Sequence, residues 1–192
     1  MKNHFLFIGD RFGGIEPGLG DLLANLLLVD YPAIPFNFSI HASHRNTLDS
    51  LYQNCARDII GRQAGTTVLW AGWEDLTSSL SPEQILAQQS SLVSEIRHNS
   101  QSRIFACTLP AHQLPSGSIT QAKAHAFNEG YRAMATEGTL LLIDLEESLH
   151  SYQSAQMVRG ELVRYLFTDH GTLNDLGQLF CAKDIALKIM KS

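Results

Sequence analysis

An arginine stands where an apolar run meets a glycine-rich turn. The chain begins "MKNHFLFIGDRFGG", in which residues 5–8 are apolar and Gly9, Asp10 and Arg11 follow. A turn after a buried strand is held in place by that strand and exposes its tip, which suits a functional group. The Arg11 guanidinium stays protonated and offers no nucleophile. It could instead bind a carboxylate or phosphate, or pair with a carboxylate of this chain.

Residues suited to a functional site also follow three other apolar runs. They are Ser43 and His44, then Gly72, Glu74 and Asp75, and in the late loop Asp169, His170, Thr172 and Asn174. Because the carboxyl ends of parallel strands meet at one edge of a sheet, we expect these groups to line one cleft with Asp10 and Arg11. His41 and His44 are three residues apart and could chelate a metal. No third ligand is evident, so we expect no metal site.

The elements that must position these groups are short apolar runs alternating with segments of helical period. The strand predictions are 4–9, 36–41, 66–72, 103–109 and 139–145. The helix predictions are 20–31, 46–61, 81–98, 120–138 and 174–191, with a helical insertion over 150–167. Such alternation predicts a parallel sheet covered on both sides by right-handed crossovers, as one α/β domain over 1–192. Trp70 is expected in its core and Trp73 at the mouth of the cleft.

Local signals predict where several helices begin or end. Ser81 is a predicted N-cap, with Pro82 at the first helical position and Gln84 completing a capping box. Gly61 is a predicted helix stop, and Asn174 lies near a predicted cap.

Composition excludes several classes of protein. The chain has 192 residues, of which 44% are hydrophobic and 17% charged, so it is a globular protein with a sizeable core. A net charge of −5 without a basic run argues against nucleic-acid binding. No stretch is long and apolar enough to span a membrane, and the N-terminal run meets Asp10 too early for a secretory signal. Three widely spaced cysteines favour reduced thiols, so we expect a cytoplasmic protein.

Five stretches of the chain, in order, resemble blocks of the SGNH/GDSL hydrolase superfamily. They are "FIGDRF", "VLWAGWEDL", "TLPAH", "FNEGYRAMATEGTLLLIDLEESL" and "TDHGTLNDLGQLFCAKDIALKI". The resemblance implies a three-layer α/β/α sandwich around a five-stranded parallel sheet, a flavodoxin-like architecture. It also implies an esterase, lipase or carbohydrate O-deacetylase without a cofactor. In that superfamily a serine attacks the acyl carbon, a histidine three residues after an aspartate acts as base, and an oxyanion hole stabilises the developing charge.

The residues that would carry this chemistry are replaced. In the implied alignment Arg11 stands at the nucleophilic serine, His44 at the oxyanion glycine, Glu74 at the oxyanion asparagine and Thr172 at the catalytic histidine. The framework positions that match are Gly9, Asp10, Gly72, Asp75, Asp169, Asn174 and Gly177. The resemblance therefore predicts the fold of a hydrolase with a degenerate active site, a pseudoenzyme.

Three interpretations follow from these replacements. In the first, Arg11 pairs with Glu74 or Asp169 and fills the former active site, and the protein acts through binding or assembly with a protein partner. In the second, Arg11 binds a small anionic ligand, assisted by His44 and His170. In the third, the protein is an esterase or O-acetyl hydrolase with a rearranged catalytic set, in which Ser43 is the nucleophile and Asp169 and His170 complete the set.

Overall fold

The structure, a computed structural model, describes residues 3–10, 18–43, 45–158, 166–168 and 173–192. Five predicted site residues lie outside these ranges, namely Arg11, His44, Asp169, His170 and Thr172. No helix within the described ranges is both long and apolar enough to cross a lipid bilayer.

Five parallel strands form a single sheet, which confirms the predicted fold class. They are β1 His4–Gly9, β2 Asn37–Ala42, β3 Thr66–Trp70, β4 Arg103–Cys107 and β5 Leu141–Ile143, in the order β2-β1-β3-β4-β5. Every pairing between neighbouring strands is parallel. The chain crosses from β1 to β2 on one side and continues to β3 on the other, so the direction of winding reverses at β1. In open parallel sheets the ligand crevice lies at such a reversal, beyond the carboxyl ends of the strands. Here that place is between β1 and β3.

Helices cover both faces of the sheet. They are α1 Leu19–Asp30, α2 Leu48–Gln53, α3 Cys55–Asp58, α4 Trp73–Leu76, α5 Pro82–Asn99, α6 Ile119–Thr136, α7 Leu145–Val158 and α8 Asp175–Lys191. The helix α1 packs on α8, and α5 packs on both α2 and α6. Two predicted caps are confirmed: the Ser81 hydroxyl accepts from the N–H of Gln84, and the Asn174 carbonyl oxygen accepts from the N–H of Gly177. These signals are local, and the capped helices begin where the sequence predicts.

The core lies between the sheet and its two helical layers. Every residue of β3 is buried, and so are the residues of β1 after His4, which explains why these two runs are almost uniformly apolar. The edge strand β2 is only partly covered. Trp70 is fully buried, as predicted, and the three cysteines are buried free thiols.

The predicted helix over 46–61 is wrong as one continuous element. The chain instead forms α2, the short α3 and a 3-10 turn over Ile60–Arg62. At the break, the Asn54 side chain donates to the carbonyl of Ser50 at 2.8 Å and ends the first helix. Asparagine competes with the helical backbone in this way. The predicted stop at Gly61 is also wrong, because the residue that turns the chain is Gln63, with φ 52°.

The predicted bounds of the later strands and of the 150–167 insertion also need correction. The strands β3, β4 and β5 end at Trp70, Cys107 and Ile143, short of the predicted ends at 72, 109 and 145. After β5 the Asp144 carboxylate accepts from the N–H of Glu147 and starts α7 early. Residues 159–165 of the predicted insertion lie outside the described ranges.

Candidate functional site

Asp10 joins the end of β1 to the turn after β3. Its side chain is fully buried, and one carboxylate oxygen accepts from the N–H of Gly72 at 2.8 Å and of Trp73 at 2.6 Å. A carboxylate that accepts two backbone N–H groups makes short, strong hydrogen bonds. Asp10 therefore fixes the turn that carries Glu74, and it does so from a position 62 residues earlier in the chain.

Gly72 occupies a position that no residue with a Cβ could occupy without strain. Its φ is 126°, a conformation that side chains with a Cβ rarely adopt. A Cβ built there would lie 2.5 Å from the ring of Phe127, which α6 packs against the turn. Backbone conformation and close approach both require glycine at this point.

Two further side chains tie the loop after β2 to the same edge. The Asn46 amide donates to the carbonyl of Gly9 at 2.8 Å. The Asp75 carboxylate, from α4, accepts from the N–H of Leu48 at the start of α2, at 3.0 Å. The loops that follow β1, β2 and β3 are thus held together by buried polar contacts, as expected of a pre-formed site.

Burial raises the pKa of Asp75 to about 6. The N–H of Leu48 favours the ionised carboxylate, but Glu74 and Asp49 add negative charge nearby, and burial outweighs the hydrogen bond. The folded protein therefore binds this proton more tightly than the unfolded chain. It follows that Asp75 contributes stability below its ordinary pKa and that this contribution is lost as the pH rises through about 6.

Replacing Asp75 by asparagine is expected to remove this pH dependence. The amide oxygen still accepts from Leu48 but cannot ionise, so the wild type should lose about 2–3 kcal/mol relative to Asp75→Asn between roughly pH 4 and pH 7. Urea denaturation at a series of pH values measures the difference. Asp30→Asn, at an exposed carboxylate, is the control. A difference between wild type and Asp75→Asn that grows in favour of the wild type with rising pH would contradict the assignment.

Glu74 places a carboxylate in the first turn of α4, on the turn that Asp10 holds. Its side chain is half-buried and immediately precedes the buried Asp75 in the sequence. A carboxylate accepts hydrogen bonds and carries negative charge, so it cannot stabilise an oxyanion. Trp73 is buried, with 6% of its surface exposed, so the prediction that it lies at the mouth of the cleft is wrong. Its indole packs inwards with the core.

Ser43 lies beside the end of β1. Its N–H donates to the carbonyl of Gly9 at 3.2 Å, and its hydroxyl accepts from the N–H of Arg45 at 3.3 Å. The serine is thus one strand away from the turn of Asp10, and its side chain forms a local turn contact.

The ends of the last loop are joined where α8 begins. Phe167 and Leu173 form an antiparallel bridge, and the N–H of Asn174 donates to the carbonyl of Leu166 at 3.0 Å. The backbone of Leu166 closes over the first turn of α8, where a Cβ on Gly177 would lie 2.1 Å from that carbonyl oxygen. Asn174 is thereby placed as a helix cap, since its side-chain oxygen accepts from the N–H of Gly177.

A second polar cluster lies at the ends of β4 and β5, and the sequence analysis missed it. Arg132 on α6 donates to both oxygens of Asp144 at 2.9 Å and to Glu146 at 3.0 Å. Asn128, also on α6, donates to Glu146 at 2.9 Å, and Thr108 at the end of β4 donates to Asp144 at 2.9 Å. These contacts lock α6 to the ends of both strands. Burial is the largest single influence on the pKa of Asp144 and would raise it, but the hydrogen bonds from Arg132, Thr108 and the N–H of Glu147 together hold this pKa below its ordinary value.

A signal for this cluster was present in the sequence. His125, Asn128, Glu129 and Arg132 are spaced i, i+3, i+4 and i+7 and therefore share one face of a helix. A polar stripe of this kind normally faces solvent, so the sequence pattern alone gives no reason to assign it a function. Within the described residues, no three His, Cys, Asp or Glu side chains are grouped so that they could hold a metal ion.

No family model matches the sequence, and no curated protein matches it. Solved structures do. A GDSL-like lipase from Parabacteroides merdae superposes with a TM-score of 0.81 and 14% identity, covering 100% of this chain and 97% of that one. The acetyl xylan esterase AlAXEase superposes with a TM-score of 0.79 and 18% identity, covering 95% and 97%. The acetylxylan esterase Axe2 from Geobacillus stearothermophilus gives 0.73 and 16%, covering 100% and 95%.

These superpositions extend over nearly the whole of each chain, while the identities are too low to transfer an activity. The likeness is therefore one of architecture. The chain has the fold of the SGNH/GDSL hydrolases.

Proposed function

We propose that this protein is a single SGNH-hydrolase-like domain that does not hydrolyse esters by the standard Ser–His mechanism and acts through binding or assembly. The observation that carries the proposal is the position of Glu74. The turn that bears it is held by Asp10 and by the close approach of Phe127 to Gly72. This turn therefore carries an acidic residue at the position where the resemblance implies an oxyanion donor.

The chemistry of the replaced positions supports the same conclusion. Removing one oxyanion donor typically lowers turnover by about 100- to 1000-fold. At position 74 the donor is replaced by an acceptor that carries negative charge, which opposes the transition state as well as failing to stabilise it. At position 11 a protonated guanidinium replaces the hydroxyl that would attack the acyl carbon.

The retained framework residues favour a cleft that binds a ligand or a partner instead of hydrolysing an ester. Asp10, Gly72 and Asp75, which match framework positions in the implied alignment, are engaged in buried contacts. In the proposed arrangement Arg11 pairs with Glu74 or Asp169, since a buried guanidinium is tolerated when it is hydrogen-bonded to a carboxylate. A small anionic ligand that displaces this pairing, or a protein partner that covers it, would be the functional occupant.

Ser43 gives the competing proposal its only support among the described residues. Its backbone contact with Gly9 places it next to the turn at which the superfamily has its nucleophile. An esterase or O-acetyl hydrolase that used Ser43 with Asp169 and His170 would need the Ser43 hydroxyl to leave its contact with Arg45.

Intact-mass spectrometry after treatment with a fluorophosphonate separates the two proposals. The probe forms a covalent bond to an activated serine, with loss of fluoride. The wild-type protein, folded by circular dichroism, is expected to gain no mass. An adduct that maps to Ser43 would overturn the proposal and establish the rearranged hydrolase.

A revertant tests whether the replaced residues are the reason. The variant with Arg11→Ser, His44→Gly, Glu74→Asn and Thr172→His is expected to react with the probe and to hydrolyse p-nitrophenyl acetate. The matched control keeps Arg11 and carries the other three substitutions, so it has a base and an oxyanion donor without the nucleophile. We expect the control to remain unlabelled.

A further inference from the structure

Three histidines share one cavity at the ends of β4 and β5. The cavity has a volume of about 450 Å³ and is lined by His112, His125 and His150, by four carboxylates and by Arg132. His112 belongs to a 3-10 turn after β4, His125 to α6 and His150 to α7. Elements distant in sequence therefore bring three imidazole side chains to one place.

Among the described residues that line this cavity, four are carboxylates and one is an arginine. Arg132 already donates to Glu129, Asp144 and Glu146. Glu147 is the fourth carboxylate. A histidine that moves towards these carboxylates on protonation gains an attractive partner, as His125 already has in Glu146 at 3.6 Å.

The His112 ring makes no hydrogen bond to the carboxylates of the cavity. Both ring nitrogens are shielded from solvent, and neither makes a hydrogen bond of good geometry, although Gln153 lies beside the ring. The ring packs edge-on against His150, with centroids 5.8 Å apart, and against Phe167, with centroids 6.3 Å apart. A charged imidazolium is costly in this place, because it is shielded from water and faces another imidazole.

The groups that face His112 act in opposite directions on its pKa. Burial is the largest influence and lowers the pKa, and His150 on α7 and His125 on α6 lower it further. Glu146 and Gln153, both on α7, raise it. The balance lies below the ordinary histidine pKa, so the folded protein binds this proton less readily than the unfolded chain. Its contribution to stability is present above the ordinary pKa and is lost as the pH falls.

Phe167 connects this histidine to the last loop. It forms the antiparallel bridge with Leu173, next to the hydrogen bond from Asn174 to Leu166 that closes the start of α8. We propose that His112 is a proton-sensitive contact: neutral, it packs between His150 and Phe167; protonated, it moves towards the cavity carboxylates and loosens the pairing of Phe167 with Leu173. The proposal is independent of whether the protein has hydrolytic activity.

Amide hydrogen exchange of Asn174 tests the proposal, because its N–H reports directly on the closure at Leu166. We expect its protection factor, corrected for the intrinsic exchange rate, to fall by about fivefold or more between roughly pH 7.5 and pH 5 in the wild type. In His112→Phe the ring contact with Phe167 is kept without the titration, and the protection factor should stay constant. His98→Gln, at an exposed histidine on α5, should behave as the wild type.

Equal pH dependence in the wild type and in His112→Phe would overturn the proposal, as would a wild-type protection factor that does not change. The imidazole resonances of the wild type provide a second measurement that does not depend on any variant folding. We expect the His112 ring to titrate at a lower pH than an ordinary histidine. A His112 ring that titrates at or above the ordinary histidine pKa would refute the proposal.

Discussion

Replacing Gly72 by alanine is expected to lower the free energy of unfolding by about 3–5 kcal/mol. Two costs add at this position. A φ of 126° is strained for alanine, and the new Cβ would lie 2.5 Å from the Phe127 ring. The ring cannot retreat cheaply, since Phe127 is fully buried and packs against Tyr131 with centroids 4.9 Å apart. Denaturation in urea, followed by tryptophan fluorescence, measures the loss.

Gly117→Ala is the matched control for this variant. Gly117 also has positive φ, 75°, but nothing lies within 4 Å of its added Cβ. It should therefore incur only the backbone cost, about 1 kcal/mol. If the two variants lose the same stability, the contact with Phe127 does not constrain the turn, and the account of how Glu74 is positioned fails with it.

Replacing Asp10 by alanine is expected to cost a similar amount, about 3–5 kcal/mol. The change leaves the N–H groups of Gly72 and Trp73 without their acceptor inside the protein, where water cannot replace it. Each buried unsatisfied donor typically costs about 1–3 kcal/mol, and more when the lost partner is charged. Asp10→Asn keeps an acceptor oxygen without its charge, so it should fall between the wild type and Asp10→Ala.

Asp21→Ala provides the comparison for Asp10. Asp21 also accepts one backbone N–H, from Gly18 at 3.0 Å, but at a half-buried helix start where water is available. Its loss should cost about 1 kcal/mol. A smaller effect at Asp10 than at Asp21 would mean that Asp10 does not organise the turn.

Together these variants separate the framework of the site from its chemistry. Asp10 and Gly72 shape the turn, and both are expected to be needed for folding irrespective of any catalysis. Glu74 lies on that turn, and in the proposed function it determines what the turn can do. A fold of this kind hosts many activities, so the function depends on which residues the framework positions at the site.

The alternation of strands and helices, the fold class and the caps at Ser81 and Asn174 could be predicted from the amino-acid sequence. Each of these depends on a short window: uniform apolar runs identify buried strands, and a side chain that reaches the N–H three residues ahead identifies a helix start. The same windows failed at Asn54, where a side chain interrupts the helix, and at Trp73, whose burial depends on distant elements.

The sequence predicted that Asp10 and the turn of Gly72 lie at the same edge of the sheet, but their atomic contacts are set by the tertiary structure. Asp10 contacts residues 62 and 63 positions away, and Asn46 contacts Gly9 across 37. The cavity of His112, His125 and His150 is assembled from three elements, none of which contains a recognisable motif. Helix and strand propensities and hydrophobic periodicity depend on a few neighbouring residues. They carry no information about the distances between elements that are far apart in the sequence. Those distances are set when the strands pair and the helices pack, because that is when buried polar groups must find their partners.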